Sequence, residues 1–156
     1  MRVFLAYSFT DLINPQTGLV DEGSKKVLEN FIYSIEEMGH SVFSAHAREK
    51  WGGELYTHLQ ATKADLQEMR NADLVIAFPG SFPISGGVHV ELGWASALKK
   101  SIVLFLDEKQ RYSPLVMGLE AITQAEIVYF EEVNCELFKE ISTRIKKYEL
   151  LEKEIS

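Results

Sequence analysis

The chain has a single cysteine, Cys135, among 156 residues. That excludes an intramolecular disulfide and a metal site built from several cysteines. No apolar run reaches the roughly 18 residues of a membrane helix, and no signal-peptide pattern is present. A soluble cytoplasmic protein with no membrane partner is therefore expected. The four histidines are scattered without ligand spacing, so neither a metal nor another cofactor is expected. Basic residues do not cluster until the C-terminal helical stretch, and the net charge is −7, which speaks against nucleic acid as a partner. An acidic protein can still hold a small phosphate through backbone N–H groups. The common nucleotide fingerprints are missing too. No GxGxxG follows the first strand and no GxxxxGK[ST] occurs anywhere.

What is present is an alternation of short apolar runs and helical patterns. Arg2–Tyr7, Ser41–Ser44, Leu74–Phe78, Ile102–Leu106 and Ile127–Phe130 read as strands. Between the first two, Val27, Leu28, Phe31, Ile32, Ile35 and Met38 recur at helical spacing, with Asp21 or Ser24 as a cap and Gly39 as a stop. Further helices are predicted over Leu55–Arg70, from the Gly86 region to Lys99, from Pro114, and over Glu136–Ile155. Ser8–Val20 and Ala45–Gly53 read as loops. This pattern predicts one domain, residues 1–156, of three-layer α/β class. Its sheet would be five-stranded, parallel and flavodoxin-like (Rossmann-like) in order 2-1-3-4-5. The loops after the first four strands should meet over one cleft, with Glu91 near Tyr7 and His46.

The stretch Ala77-Phe-Pro-Gly-Ser-Phe-Pro-Ile-Ser-Gly-Gly-Val-His-Val-Glu91 joins a strand to a helix through a Gly/Pro/Ser loop. Free N–H groups and the positive end of the helix dipole gather at such a start. They suit an anion and would keep a nearby carboxylate ionised. An ionised Glu91 there can act as a nucleophile toward a sugar carbon; it can equally be a Glu that favours the helix start. Ser85 with Gly86 and Gly87 can cradle a phosphate or simply cap the helix.

Six ordered segments carry a resemblance: Asn14–Gly18, Ala45–Gly52, Ala64-Asp65, Ala72–Gly80, Gly87–Ser96 and Met117–Glu120. With them the chain resembles the nucleoside 2-deoxyribosyltransferase-like superfamily, and within it the CMP and hydroxymethyl-CMP N-glycosidases. The resemblance implies an N-glycosidase of nucleoside 5′-monophosphates, CMP-like, working through a covalent glycosyl-enzyme and needing no cofactor. It makes Glu91 the nucleophile, Asp65 the carboxylate that assists departure of the base, and Ser85 a phosphate ligand. Ser113 roughly matches a serine that some relatives contribute from a neighbouring subunit. A homodimer or higher oligomer is implied, with His89, Trp94 and the Tyr112-Ser113 loop as contacts.

Several residues keep two readings. His46 can touch substrate or satisfy a loop carbonyl. Tyr7, Phe9 and Trp51 can stack on a base or pack in the core. One departure stands out: family members often carry an Arg just after the first strand, where this chain has Ala6-Tyr7-Ser8-Phe9-Thr10. Arg48 is the candidate replacement. Base exchange by a deoxyribosyltransferase, and nucleotide sensing without catalysis, are the alternative functions.

Overall fold

The computed structural model describes residues 1–8, 13–80 and 86–155. Strands β1 (Arg2–Tyr7), β2 (Ser41–Ser44), β3 (Leu74–Phe78), β4 (Ser101–Asp107) and β5 (Ala125–Phe130) form one sheet. Its order is β2-β1-β3-β4-β5, and every neighbouring pair is parallel. The helices are α1 (Glu22–Glu36), α2 (Ala45–Arg48), α3 (His58–Asn71), α4 (Gly87–Ala97), α5 (Pro114–Met117) and α6 (Cys135–Ile155).

The strands are apolar on both faces because both faces are covered. Alternate residues of β1 point to opposite sides. Val3 and Leu5 join Leu28, Phe31 and Ile35 of α1 and Leu137, Ile141 and Ile145 of α6 in one core. Phe4 and Ala6 join Met69 of α3 and Val88, Leu92 and Ala95 of α4 in the other. The chain leaves β1 for α1 on one face and β3 for α4 on the other. The sheet order therefore reverses between β1 and β3, which opens a crevice at their C-terminal ends.

Two local differences from the sequence reading bear on that crevice. α3 begins at His58, not Leu55, because Thr57 caps it. The Thr57 hydroxyl accepts from the Gln60 N–H at 3.3 Å, and the Gln60 side chain accepts from the Thr57 N–H at 3.0 Å. This reciprocal box fixes the start and leaves Leu55 and Tyr56 outside the helix. The segment Ala45–Gly53, read as a loop, contains α2 and a 3₁₀ turn at Lys50–Gly52.

That turn is strained. Lys50 and Trp51 take positive φ of 46° and 59°, a region non-glycine residues seldom enter, and Gly52 follows at 95°. A Cβ on Gly52 would lie 2.6 Å from the Gly18 carbonyl oxygen, so only glycine fits. The close approach lets the Val20 N–H donate to the Trp51 carbonyl at 3.0 Å. It ties the segment after β1 to the segment after β2, on one side of the crevice.

Candidate active site

α4 brings the first carboxylate. Gly86 is its N-cap and makes no side-chain capping bond. Val88, Leu92 and Ala95 are buried against the sheet, which turns Gly87, Glu91 and Trp94 toward α3. Asp65 comes from the facing side of α3. Arg48 and Glu49 come from the end of α2. Glu91, Asp65, Arg48 and Glu49, together with Gly87, Tyr7, Ser8 and Tyr56, line a cavity of about 450 Å³ over the ends of β1 and β2. A second hollow of about 270 Å³ lies between α3 and α4, with Val90 and Trp94 among its lining residues. Asp65 and Glu91 line both, so this carboxylate pair stands on the wall between them.

Arg48 organises the polar wall. Its Nη1 donates to Asp65 Oδ1, and its Nη2 donates to Glu49 Oε1 at 2.6 Å. All three side chains are largely shielded from solvent. The guanidinium lies 4.5 Å from the centroid of Tyr56 and 5.4 Å from that of Phe43. Its planar cation is thus held by rings as well as by charges.

Burial raises the proton affinity of Asp65; the Arg48 hydrogen bond and charge oppose this, and the Glu49 charge adds to it. Glu91 is pushed further, to about 8, first by burial and then by the Asp65 charge, with Arg48 opposing. The sequence suggested a Glu91 kept ionised by the start of its helix. Instead, Glu91 lies a full turn in from Gly87, where the dipole has faded, and desolvation wins. Glu91 therefore holds a proton at neutral pH.

The other predicted residues divide. Tyr7 and Gly87 line the main cavity. Gly86 is exposed at the head of α4. His46 is only 1% exposed and is not among the lining residues. It packs edge-on to Tyr7 at 6.3 Å and faces Trp51 at 6.4 Å. Burial lowers its pKa to about 4, against a hydrogen bond with the Ser8 backbone, so it is neutral and backs the cavity wall. Trp51 packs against the α1/α6 core.

Ser113 caps α5, accepting from the Leu115 N–H at 3.3 Å, and lines neither hollow. The loop after β4 folds back on its own strand, and none of its residues lines either hollow. The Asp107 N–H donates to the Tyr112 hydroxyl oxygen at 2.7 Å. Phe9 and Ser85 lie outside the described residues. Both ring nitrogens of His89 are buried, with no hydrogen-bond partner among the described residues. Among the described residues no group of three or more His, Cys, Asp or Glu is placed to hold a metal ion, and no helix is long and apolar enough to cross a membrane.

Glu49 and Tyr56 were missed from the sequence, and Arg48 was named without a partner. The Thr57-x-x-Gln60 box was the available signal: it starts the helix late and returns Tyr56 to the segment that bounds the crevice.

A doubly wound parallel sheet with two shielded carboxylates beside a helix start at the switch point is the arrangement of a known α/β class. Residues 19–146 match the family model described as nucleoside 2-deoxyribosyltransferase, and the chain belongs to that family. Among solved structures it is similar to the Clostridium botulinum CMP N-glycosidase BcmB, at 33% identity over 92% of this chain and 99% of that one, with a TM-score of 0.71. It is similar to BlsM at 38% identity over 94% and 90% of the two chains, with a TM-score of 0.79. The 2-deoxyribosyltransferase of Bacillus psychrosaccharolyticus shares the fold, at 23% identity over 86% and 88% and a TM-score of 0.57. No curated protein matches the chain significantly.

Proposed function

We propose that the protein is an N-glycosidase of nucleoside 5′-monophosphates, with a CMP-like pyrimidine nucleotide as substrate. The observation that carries this is the pairing of Glu91 with Asp65 on one cavity wall beside the start of α4, in a chain similar over nearly its whole length to a CMP N-glycosidase. Glu91, once ionised, attacks C1′ from the face opposite the base. The C1′–N bond breaks and its electron pair leaves with the base. The proton Glu91 gives up passes to Asp65, whose own proton affinity is raised, and from there to the departing base. Water then attacks C1′ and gives its proton to Asp65, the bond from C1′ to Glu91 breaks, and sugar 5-phosphate is released with retained configuration. Gly87 and its neighbours at the head of α4, with Ser85 just before them, are the proposed phosphate end.

Base exchange is the second reading, favoured by the family match itself. One incubation separates the two. A panel of labelled monophosphates is mixed with the protein and an excess of a different base. Free base and sugar phosphate alone indicate hydrolysis, and a new nucleotide indicates transfer. No release from any monophosphate removes both. We also propose a homodimer or higher oligomer with His89, Trp94 and the Tyr112-Ser113 loop as contacts, beside which Val90 and Leu115 are 51% and 84% exposed. A monomer mass in sedimentation at micromolar concentration would remove that part.

A further inference from the structure

Beyond Glu91, the groups on the cavity wall come in a fixed order: Asp65, then the Arg48 bonded to it, then the Glu49 bonded to Arg48. One cation faces two carboxylates, so the wall has a surplus of acceptors. Arg48 uses one N–H on each terminal nitrogen, which leaves one donor on each. Asp65 Oδ2 and Glu49 Oε2 take no hydrogen bond among the described residues. Both residues line the cavity, which brings their carboxylates within reach of a ligand that fills it. A ligand that fills this space must bring a donor to Glu49 and an acceptor to Arg48, or leave shielded groups unsatisfied.

A phosphate does the opposite. Its charge would meet the surplus carboxylate, so it belongs at the other end of the cavity, by Gly87 at the start of α4. The two ends thereby fix the direction of the substrate. That direction puts the sugar at Glu91, the phosphate toward Gly87 at the start of α4, and the base edge along Asp65, Arg48 and Glu49.

Resting on the nucleotide reading above, we propose that Arg48 and Glu49 select bases with an exocyclic amino group beside a ring acceptor. Glu49 accepts from the amino group and Arg48 donates to the neighbouring ring nitrogen or carbonyl. Cytosine presents these groups in the order of the wall: a carbonyl nearest the sugar, which accepts from Asp65 when that group carries the proton, a ring acceptor for Arg48, then the amino group for Glu49. Uracil reverses the last two. Its ring N–H meets the Arg48 donors, and its second carbonyl meets the Glu49 carboxylate. Sites built on such hydrogen bonds discriminate strongly, because the wrong partner leaves buried polar groups unpaired.

The test compares kcat/KM for CMP and UMP, read as free base. The wild-type protein is expected to favour CMP by about a hundredfold or more, and Glu49→Gln to shrink that ratio at least tenfold. Gln keeps the volume but offers an N–H to the uracil carbonyl, so UMP should gain as CMP loses. A wild-type ratio near one, or an equal loss on both substrates in Glu49→Gln, overturns the assignment. Titration of CMP and UMP into Glu91→Gln protein separates this failure from that of the catalytic reading. Tighter binding of CMP with no turnover by the wild type leaves the subsite standing and removes the glycosidase. Turnover with equal affinities removes the subsite and leaves the glycosidase.

Discussion

Two acid-rich hollows open at the C-terminal edge of the same sheet. The larger, about 670 Å³, lies between the ends of β4 and β5 and the start of α6 and is lined by Glu108, Glu131, Glu132, Glu136 and Glu140. The smaller, about 450 Å³, holds Glu49, Asp65 and Glu91. By size and count of carboxylates the first would be chosen. Yet Glu108, Glu131, Glu132 and Glu136 are exposed to water, whereas Glu49 is buried and Asp65 is locked to Arg48. Water screens the first set into a solvated rim. Loss of water in the second forces the carboxylates to share one cation and one another's field. Desolvation with specific partners, rather than volume or charge, is what marks a place where protons and bonds can be moved.

The sharpest way to break this comparison is at Glu91. Glu91→Gln keeps the shape and removes the nucleophile, and turnover of any monophosphate substrate is expected to fall at least a hundredfold. Base release under saturating nucleotide checks it, and a residual rate above a few per cent would mean that no covalent intermediate forms on Glu91. Asp65→Asn is expected to cost less, on the order of ten- to a hundredfold. The loss should be greatest for bases that leave poorly, since they need the proton most.

The same residue sharpens the comparison through stability. The folded pKa of Glu91 is about 8 against an ordinary 4.5, so the folded state binds the extra proton between those values. Stability therefore declines as pH rises from about 4.5 to about 8 and levels off above, by a few kcal/mol at most. Glu91→Gln lacks this loss. The variant is expected to match the wild type near pH 5 and exceed it near pH 9 in denaturant midpoint. Coincident midpoints at both pH values would show that Glu91 is not desolvated.

Most of the frame was legible in the sequence because buried parallel strands read as continuous apolar runs. The order 2-1-3-4-5 followed from alternation with helices. Glu91 and Asp65 were legible through the resemblance, and the structure brings them to one wall. Their proton affinity was not, because it depends on how many atoms of other elements exclude water from α4. The Arg48–Glu49 pair was hidden for a related reason. Its meaning lies in Asp65, 17 residues further on, and in the turn at Lys50–Gly52 that no local pattern announces. His46 kept two readings in the sequence, contact with substrate or a satisfied loop carbonyl, and only its packing against Tyr7 and its bond with the Ser8 backbone place it.

That turn gives the next prediction. Gly52→Ala meets both a φ of 95° and a Cβ contact of 2.6 Å with backbone, which no rotamer can relieve. A loss of about 1–3 kcal/mol is expected, measured by equilibrium denaturation. Because the turn holds the segment after β2 against the segment after β1, nucleotide affinity should fall with it. An unchanged midpoint would show that the turn relaxes freely and does not brace the wall.

The smallest effect is expected in the larger hollow, and it tests the comparison from its other side. Glu132 is exposed, lines that hollow, and makes no ion pair or side-chain hydrogen bond among the described residues. Glu132→Gln removes a charge that water already screens. Stability should change by less than about 0.5 kcal/mol, the usual range for a surface site without partners. The kcat/KM for the nucleotide and its pH dependence should stay the same within error. None of the residues that line the cavity around Glu91 lines the hollow that holds Glu132. A change in kcat/KM of more than about threefold would mean that the acidic rim contributes field or contacts to the reaction. The two hollows would then have to be treated as one extended site, with solvated charge no longer separable from dry charge.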